Sequence, residues 1–250
     1  MTKGPTLAFT RFFAFGDSIT AGEVPSEGLA AVQKLQPRLI DFFLSYPTDL
    51  GRDLAIRYQA QAQIDLGVQN EGVQGEQTKD GLIRLPTTIA GGDKYQVMLL
   101  MEGANDLGGG TPSILPAVQN IQLMIQLAKS SGLKVILGNL PPQNPNACMG
   151  STAPPGCVPG RTAGAPYVTT YNAYLPGIAA AESVPFVDVY AAFHGDVTTL
   201  IDNDGLHPTA LGYQTISAAF LTAIEKSFEV SAASSSIFRS TFFLTAPRRR

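Results

Sequence analysis

Five short apolar runs, each followed by a stretch of helical spacing, constrain this chain more than any other feature. Arg11–Gly16 (RFFAFG), Ile64–Asn70, Tyr95–Met101 (YQVMLLM), Lys134–Asn139 (KVILGN) and Val184–Tyr190 (VPFVDVY) read as strands. The third and fourth are almost unbroken apolar runs, the pattern of strands covered on both faces. Helix candidates lie between and after them: Tyr46–Gln59, Thr78–Leu85, Pro112–Ser131, Pro166–Ser183 and Pro208–Phe228. In Pro112–Ser131 the residues Leu115, Val118, Ile121, Ile125 and Ala128 share one face, and Gly132 supplies a stop. A strict strand–helix repeat predicts an α/β fold with right-handed crossovers and helices on both faces of a parallel sheet. The expected form is a three-layer α/β/α sandwich on five parallel strands in the order 2-1-3-4-5. Its ligand site would lie outside the carboxyl ends of the strands, at the switch point. A chain of 250 residues is long enough to bury the core of one such domain.

Charge and composition remove several functions. Seventeen basic against 20 acidic residues leave a net charge of −3, which argues against a nucleic-acid footprint. No apolar run approaches the about 18 residues that a membrane span needs, so no integral membrane segment is expected. Two cysteines and two histidines cannot supply a four-ligand zinc site with a water position unless carboxylates join in. The N-terminus shows no leader, so the chain reads either as cytoplasmic or as a mature form whose leader is gone. Cys148 and Cys157 favour the second reading, a secreted or periplasmic protein. They flank a loop rich in Pro, Gly, Ser and Asn, where a disulfide would stabilise by about 2–3 kcal/mol through loop-closure entropy; two unrelated thiols are the alternative.

Three segments depart from the strand–helix rhythm. Glu23–Ser45 is long for a connection from the first strand to its helix. Pro141–Ala165 is a long loop that carries both cysteines. Beyond Phe228 a Ser-rich stretch leads to the apolar IFRSTFFL and a terminal Arg248–Arg250, so the expected division is a domain over 1–229 and an appendage over 230–250. IFRSTFFL reads as a short strand or turn that docks on the domain, or as a frayed tail.

Polar clusters fall where this topology puts strand mouths. Gly16-Asp17-Ser18 follows the first strand, and Gly103-Ala104-Asn105-Asp106 follows the third, its neighbour in the sheet. Asp204-Gly205-Leu206-His207 comes just before the last helix, with Pro208 suited to that helix's first turn. Singly these are turn and cap chemistry. Together they supply a nucleophile, a base and an orienting acid, because Asp204 and His207 can pair within one turn and leave one imidazole nitrogen for Ser18. Asn105 is either an amide donor to a developing oxyanion or a helix cap. His194 has no acid at equivalent spacing and reads as structural. Asp17, Asp106, Asp202 and Asp204 mimic a Mg²⁺ site, but Asp17 and Asp106 are better read as turn and cap acceptors. No metal and no organic cofactor is called for.

These blocks resemble the SGNH, or GDSL-type, hydrolases. FAFGDSITAGE around Ser18 is similar to that family's first block, Asn70–Thr78 (NEGVQGEQT) to its second, Gly103–Asp106 (GAND) to its third and Asp204–Pro208 (DGLHP) to its fifth, in family order. The resemblance covers about residues 9 to 228. It implies a flavodoxin-like sandwich and ester hydrolysis, with Ser18 as nucleophile, His207 as base and Asp204 as its orienting acid. It further implies an oxyanion hole from the Ser18 N–H, the Gly75 N–H and Asn105 Nδ2. The Gly-x-Ser-x-Gly elbow of the α/β-hydrolases is absent. Glu76-Gln77 stands where the family often has Asp-Thr, a change expected at the site's rim.

The substrate class that follows is a small-molecule ester: short- to medium-chain acyl esters or lysophospholipids, acted on by a protein expected to be a monomer. A carbohydrate O-acetylesterase is the alternative within the family, disfavoured by the lack of Trp for a sugar-stacking platform. A non-catalytic binding module on the same fold is the alternative outside it. In Glu23–Ser45 the residues Leu29, Val32, Leu35, Leu39, Ile40, Phe42, Phe43 and Leu44 either line an acyl groove or fill a small core of their own. The core role is the one expected.

Overall fold

The computed structural model describes residues 4–25, 38–91, 94–147 and 161–230. Its centre is a five-stranded parallel sheet of β1 (Arg11–Gly16), β2 (Gly67–Gly72), β3 (Val97–Met101), β4 (Lys134–Gly138) and β5 (Phe186–Val187). Its spatial order is β2-β1-β3-β4-β5, as the alternation of the sequence predicts. The apolar residues of β1, β3 and β4 are buried throughout, which is why those strands carry no alternation to read. Of the helices, α2 (Tyr46–Arg57) and α7 (Ala210–Phe228) pack together on one face. On the other, α4 (Thr111–Ser130) lies between α3 (Thr78–Gly91) and α5 (Val168–Glu182). Two short helices, α1 (Ser18–Ala21) and α6 (Val189–Ala192), follow β1 and β5 directly.

Element ends shift for local reasons. β2 starts at Gly67 rather than Ile64, because the N–H groups of Ile64, Asp65 and Leu66 all turn back onto the Gln61 carbonyl. β5 is cut to two residues because the Asp188 side chain accepts from the Ala191 N–H and starts α6 where the apolar pattern suggested more strand. The last helix begins at Ala210, not Pro208: Thr209 is its N-cap, accepting from the Gly212 N–H, and Pro208 sits in a bridge to Ile201. α3 runs on through Pro86 to Gly91 and forgoes one backbone bond there. In α4 Ile114 faces the core and Leu115 is exposed, a correction of about one position at the helix start.

Glu23–Pro25 and Arg38–Ile40 pair as antiparallel strands, so Glu23–Ser45 is a hairpin-like excursion that returns through a 3-10 turn, Phe42–Leu44, capped by Asp41. The core-filling role expected for it fails among its described residues. Leu39, Phe42, Phe43 and Leu44 are exposed, Phe43 by 79%. Leu29, Val32 and Leu35 lie outside the described residues, as do Cys148, Cys157 and everything after Val230. At the other end of the sheet, Thr6–Leu7 pairs antiparallel with Glu229–Val230 and ties the start of the chain to the end of α7. No described helix is long and apolar enough to cross a membrane.

Candidate active site

The mouths of β1 and β3 are stitched together by one buried carboxylate. Asp17, the N-cap of α1, accepts from the Ile19 N–H at 2.9 Å and from the Ala104 N–H at 3.3 Å. Gly16 permits this approach, since a Cβ there would run into the Met101 carbonyl. The result sets Ser18 at the first position of α1, buried, with its hydroxyl facing the loop that precedes α7.

That loop is folded by Asp204. Its Oδ1 accepts from the N–H groups of Leu206 and His207, each at 3.0 Å, while its Oδ2 lies 2.6 Å from His207 Nδ1. One carboxylate therefore shapes the turn and orients the ring. A carboxylate only accepts, so Nδ1 carries a proton and Nε2 is left as an acceptor. Nε2 stands 2.8 Å from Ser18 Oγ. Asp204 and His207 are buried. The three residues brought together by sequence reasoning thus form one continuous hydrogen-bonded chain, from carboxylate to imidazole to hydroxyl.

Gly75 and Asn105 form a further wall of the site. Both line a cavity of about 260 Å³ with Ser18, His207, Glu23 and Gln74. Gly75 has φ +75°, a left-handed backbone that suits glycine. The Asn105 amide donates to the Glu76 carbonyl at 2.9 Å. It makes no cap bond to the 3-10 turn Asp106–Gly109, so the helix-cap alternative for its side chain fails. The capping residue is Asp106, which accepts from the Thr78 N–H and hydroxyl at 2.9 and 2.8 Å and holds the start of α3. Asp202 serves the turn as well, its N–H donating to the His207 carbonyl and its Oδ1 accepting from Asn203. His194 lies in an exposed turn with φ +51°.

Glu76 is not a rim residue, contrary to expectation. It is buried and held by Arg84 through two contacts of 2.7 and 2.6 Å, and the guanidinium sits 4.0 Å over the Phe15 ring. Arg84 thereby fixes the backbone whose carbonyl orients Asn105. Beneath this wall are two unusual carboxyls. Burial pushes Asp17 up to about 6. Burial, reinforced by the charges of Glu76 and Asp17, holds Glu102 well above the usual carboxylate range, and neither of its oxygens has a hydrogen-bond partner among the described residues.

Sequence reasoning missed Glu23 and Gln74. The Glu23 side chain is 2% exposed, and its Oε2 lies 3.4 Å from His207 Nε2 and accepts from Gln74 Nε2 at 2.8 Å. Tyr213 of α7 donates its hydroxyl to the Glu23 carbonyl and pins the strand. The only available signal was an acid five residues after Ser18, and an acid at that distance is ordinarily solvated.

The sequence profile of the GDSL-like lipase/acylhydrolase family matches residues 14–215. Esterase TesA of Pseudomonas aeruginosa is 28% identical over 144 residues, 58% of this chain and 62% of that protein, so the match spans less than two thirds of the relative's length. The fold is similar to a lipase/acylhydrolase from Enterococcus faecalis, with a TM-score of 0.64 and 25% identity over 88% of this chain and 97% of that one. It is also similar to the M. smegmatis aryl esterase, with a TM-score of 0.67 and 21% identity over 87% and 99%. An acetylxylan esterase from Geobacillus stearothermophilus gives 0.61 and 22% over 90% and 96%.

Proposed function

The chain belongs to the GDSL-like lipase/acylhydrolase family, and from that premise we propose that it is a serine esterase working through an acyl-enzyme on Ser18. The observation that carries this reading is the unbroken chain Asp204–His207–Ser18, with contacts of 2.6 and 2.8 Å, opening into the cavity that Gly75 and Asn105 line. Ser18 Oγ attacks the ester carbonyl as its proton passes to His207 Nε2. The imidazolium that forms is held by Asp204 on Nδ1. The carbonyl oxygen, now negative, is stabilised by the Ser18 and Gly75 N–H groups and by Asn105 Nδ2. The Asn105 amide has two protons. One is spent on the Glu76 carbonyl, which fixes the other in direction before substrate arrives. His207 then gives its proton to the leaving alcohol. Water, activated by the same nitrogen, releases the acid in the second step.

Short- to medium-chain acyl esters suit the surroundings best, and lysophospholipids extend the same class. A second hollow of about 490 Å³ is lined by Val24, Leu39, Leu44 and Ala210 together with Asp41, Asp202 and Thr209. Two of its residues are linked to the site along the chain: Val24 follows Glu23, and the Asp202 N–H donates to the His207 carbonyl. The apolar part of its lining, Val24, Leu39 and Leu44, supports an acyl chain over an acetyl group. The test has two parts. A fluorophosphonate should label wild type and not Ser18→Ala, with the adduct mapped to Ser18. A panel of p-nitrophenyl esters of rising chain length, run beside acetylated xylose, should give a maximum above acetyl. Best turnover on the acetylated sugar would transfer the reading to a carbohydrate O-acetylesterase, and no labelling would leave a binding module.

A further inference from the structure

We propose that Glu102 is a positioning residue for Asn105: a neutral acid beneath the oxyanion wall that leaves Arg84 to Glu76, and whose ionisation at alkaline pH draws Arg84 away and releases the Asn105 amide. Glu102 follows β3 directly, three residues before Asn105, and is 1% exposed. Its backbone is pinned. The Glu102 carbonyl accepts from the Tyr171 hydroxyl at 2.8 Å, and the next residue, Gly103, has φ +121° and the same hydroxyl where a Cβ would stand. Its side chain lies against α3, since a Cβ on Gly81 would come within 2.6 Å of both carboxyl oxygens. Neither oxygen has a hydrogen-bond partner among the described residues. A carboxylate held there without a partner is costly, whereas the protonated acid is tolerated.

The charged groups around this carboxyl agree with that state. Glu76 ahead of α3, Asp17 at the mouth of β1 and Asp106 beyond β3 oppose its ionisation together with burial, and Arg84 of α3 favours it. Tyr171 of α5 faces it as a neutral phenol. Buried glutamates that titrate at about 8–9 are known from such surroundings. Gly81 and Arg84 are three residues apart on α3 and share a face. The guanidinium is committed elsewhere. Its Nε and Nη2 donate to the two Glu76 oxygens at 2.7 and 2.6 Å, Nη2 also to the Glu71 carbonyl at 3.0 Å, and Nη1 to the Thr88 hydroxyl at 3.3 Å. While Glu102 is neutral, this fork on Glu76 is uncontested. Once Glu102 gives its proton to bulk water, two buried carboxylates compete for one guanidinium. Whatever Arg84 moves toward Gly81 is taken from Glu76, and the Glu76 carbonyl no longer fixes the Asn105 amide. The loss falls on an interaction made in the transition state, and so on kcat rather than KM.

The consequence for rate rests on the esterase reading, whereas the ionisation does not, and two measurements keep them apart. Steady-state kcat and KM, and the unfolding equilibrium in urea, are followed for wild type and Glu102→Gln from about pH 5 to about pH 10. Gln keeps the shape of the neutral acid and cannot ionise. At pH 7 its kcat should lie within about threefold of wild type. Above pH 7 wild-type kcat should fall at least tenfold, reversibly and at nearly constant KM, while Glu102→Gln keeps its rate. The folded state holds the Glu102 proton more tightly than the unfolded chain does. Its contribution to stability is therefore fully present below about pH 4 and is lost as pH rises through the folded group's own titration. The ratio of the two unfolding constants should shift in favour of Glu102→Gln by up to about tenfold per pH unit and then level off. Asp17 is present in both proteins, so its own titration cancels. Should Glu102→Gln fail to fold, Glu102→Met, also unable to ionise and of similar length, takes its place under the same expectations. A stability ratio that stays flat overturns the neutral acid. A shifting ratio with equal alkaline loss of rate in both proteins overturns its link to Asn105. A shifting ratio in a wild type whose Ser18 takes no fluorophosphonate keeps the acid and sinks the esterase reading.

Discussion

Two walls border the cavity at Ser18, and they are built on different principles. The Gly75–Asn105 wall is tied by a series of side-chain bonds. Asn105 is held by the Glu76 carbonyl, Glu76 by Arg84, Asp106 by Thr78, and Asp17 by Ala104. The Glu23–Ser45 wall is anchored at its root by Tyr213 and Gln74, but presents Leu39, Phe42, Phe43 and Leu44 outward. A wall that stabilises a developing charge must not reorganise as the charge appears, and fixed donors satisfy that. A wall that sorts substrates by shape needs apolar surface near the reacting atoms, and tolerates variation. On the proposed esterase reading, the contrast gives rate to one side and preference to the other.

Ser18 serves both walls, so its loss should be the largest effect. Ser18→Ala should remove turnover and fluorophosphonate labelling while leaving the thermal midpoint nearly unchanged, because a hydroxyl at a helix start contributes little packing. Near wild-type hydrolysis by this variant would dissolve the comparison altogether.

Asn105 tests the fixed wall. Asn105→Ala should lower kcat by roughly 10²–10³, with KM nearly unchanged, since the lost donor acts on the transition state. Asn105→Asp should be at least as damaging, because it places a negative charge where the oxyanion forms. A variant Asn105→Asp that keeps activity would mean the oxyanion is held by other groups.

Leu44 and Phe43 test the other wall with smaller numbers. Leu44→Ala should lower kcat/KM about 3- to 10-fold on octanoyl esters and little on acetyl esters, as expected for one or two methylene contacts at about 0.8 kcal/mol each. Phe43→Ala, at a side chain 79% exposed, should move stability by no more than about 0.5 kcal/mol. Equal losses on every chain length would show that the hairpin supports the site without choosing its substrate.

The fixed wall was the more legible of the two in the sequence. Its residues sit at strand mouths, where period and turn chemistry locate them, and Gly75, Asn105, Ser18 and His207 line one cavity with Asp204 bonded behind His207. The hairpin was opaque for a physical reason. Its apolar residues carry no period that distinguishes a surface from a core, and Glu23 gains its place only from long-range contacts with Gln74, Tyr213 and His207. The same limit explains the misplaced start of α7. The Thr209 cap outweighs the fitness of Pro208 for a first turn, and that competition is settled by the bridge to Ile201.

The last effect concerns the foundation of the fixed wall, and it is read from stability rather than rate. Burial raises Asp17 to about 6 in the fold, against an ordinary value of 3.8. The folded state therefore holds this proton more tightly than the unfolded chain does. Its contribution to stability is fully present below about pH 4 and is lost as pH rises through about 6. Two pH units correspond to on the order of 2–3 kcal/mol. Carboxylates elsewhere work in the opposite direction, Glu229 being held below its usual range by Tyr58 and Arg57, so the pH profile of wild type alone mixes both. Asp17→Asn isolates the effect. The amide keeps an oxygen for the Ile19 N–H, and whatever it costs against the Ala104 N–H is constant with pH. The difference in unfolding free energy between wild type and Asp17→Asn, measured by urea denaturation from pH 4 to pH 8, should shift in favour of the variant as pH rises, with most of the change between pH 4 and 6. A difference that stays flat over that range would mean that Asp17 is already ionised at pH 4, and that the fixed wall rests on a charge rather than on a buried acid.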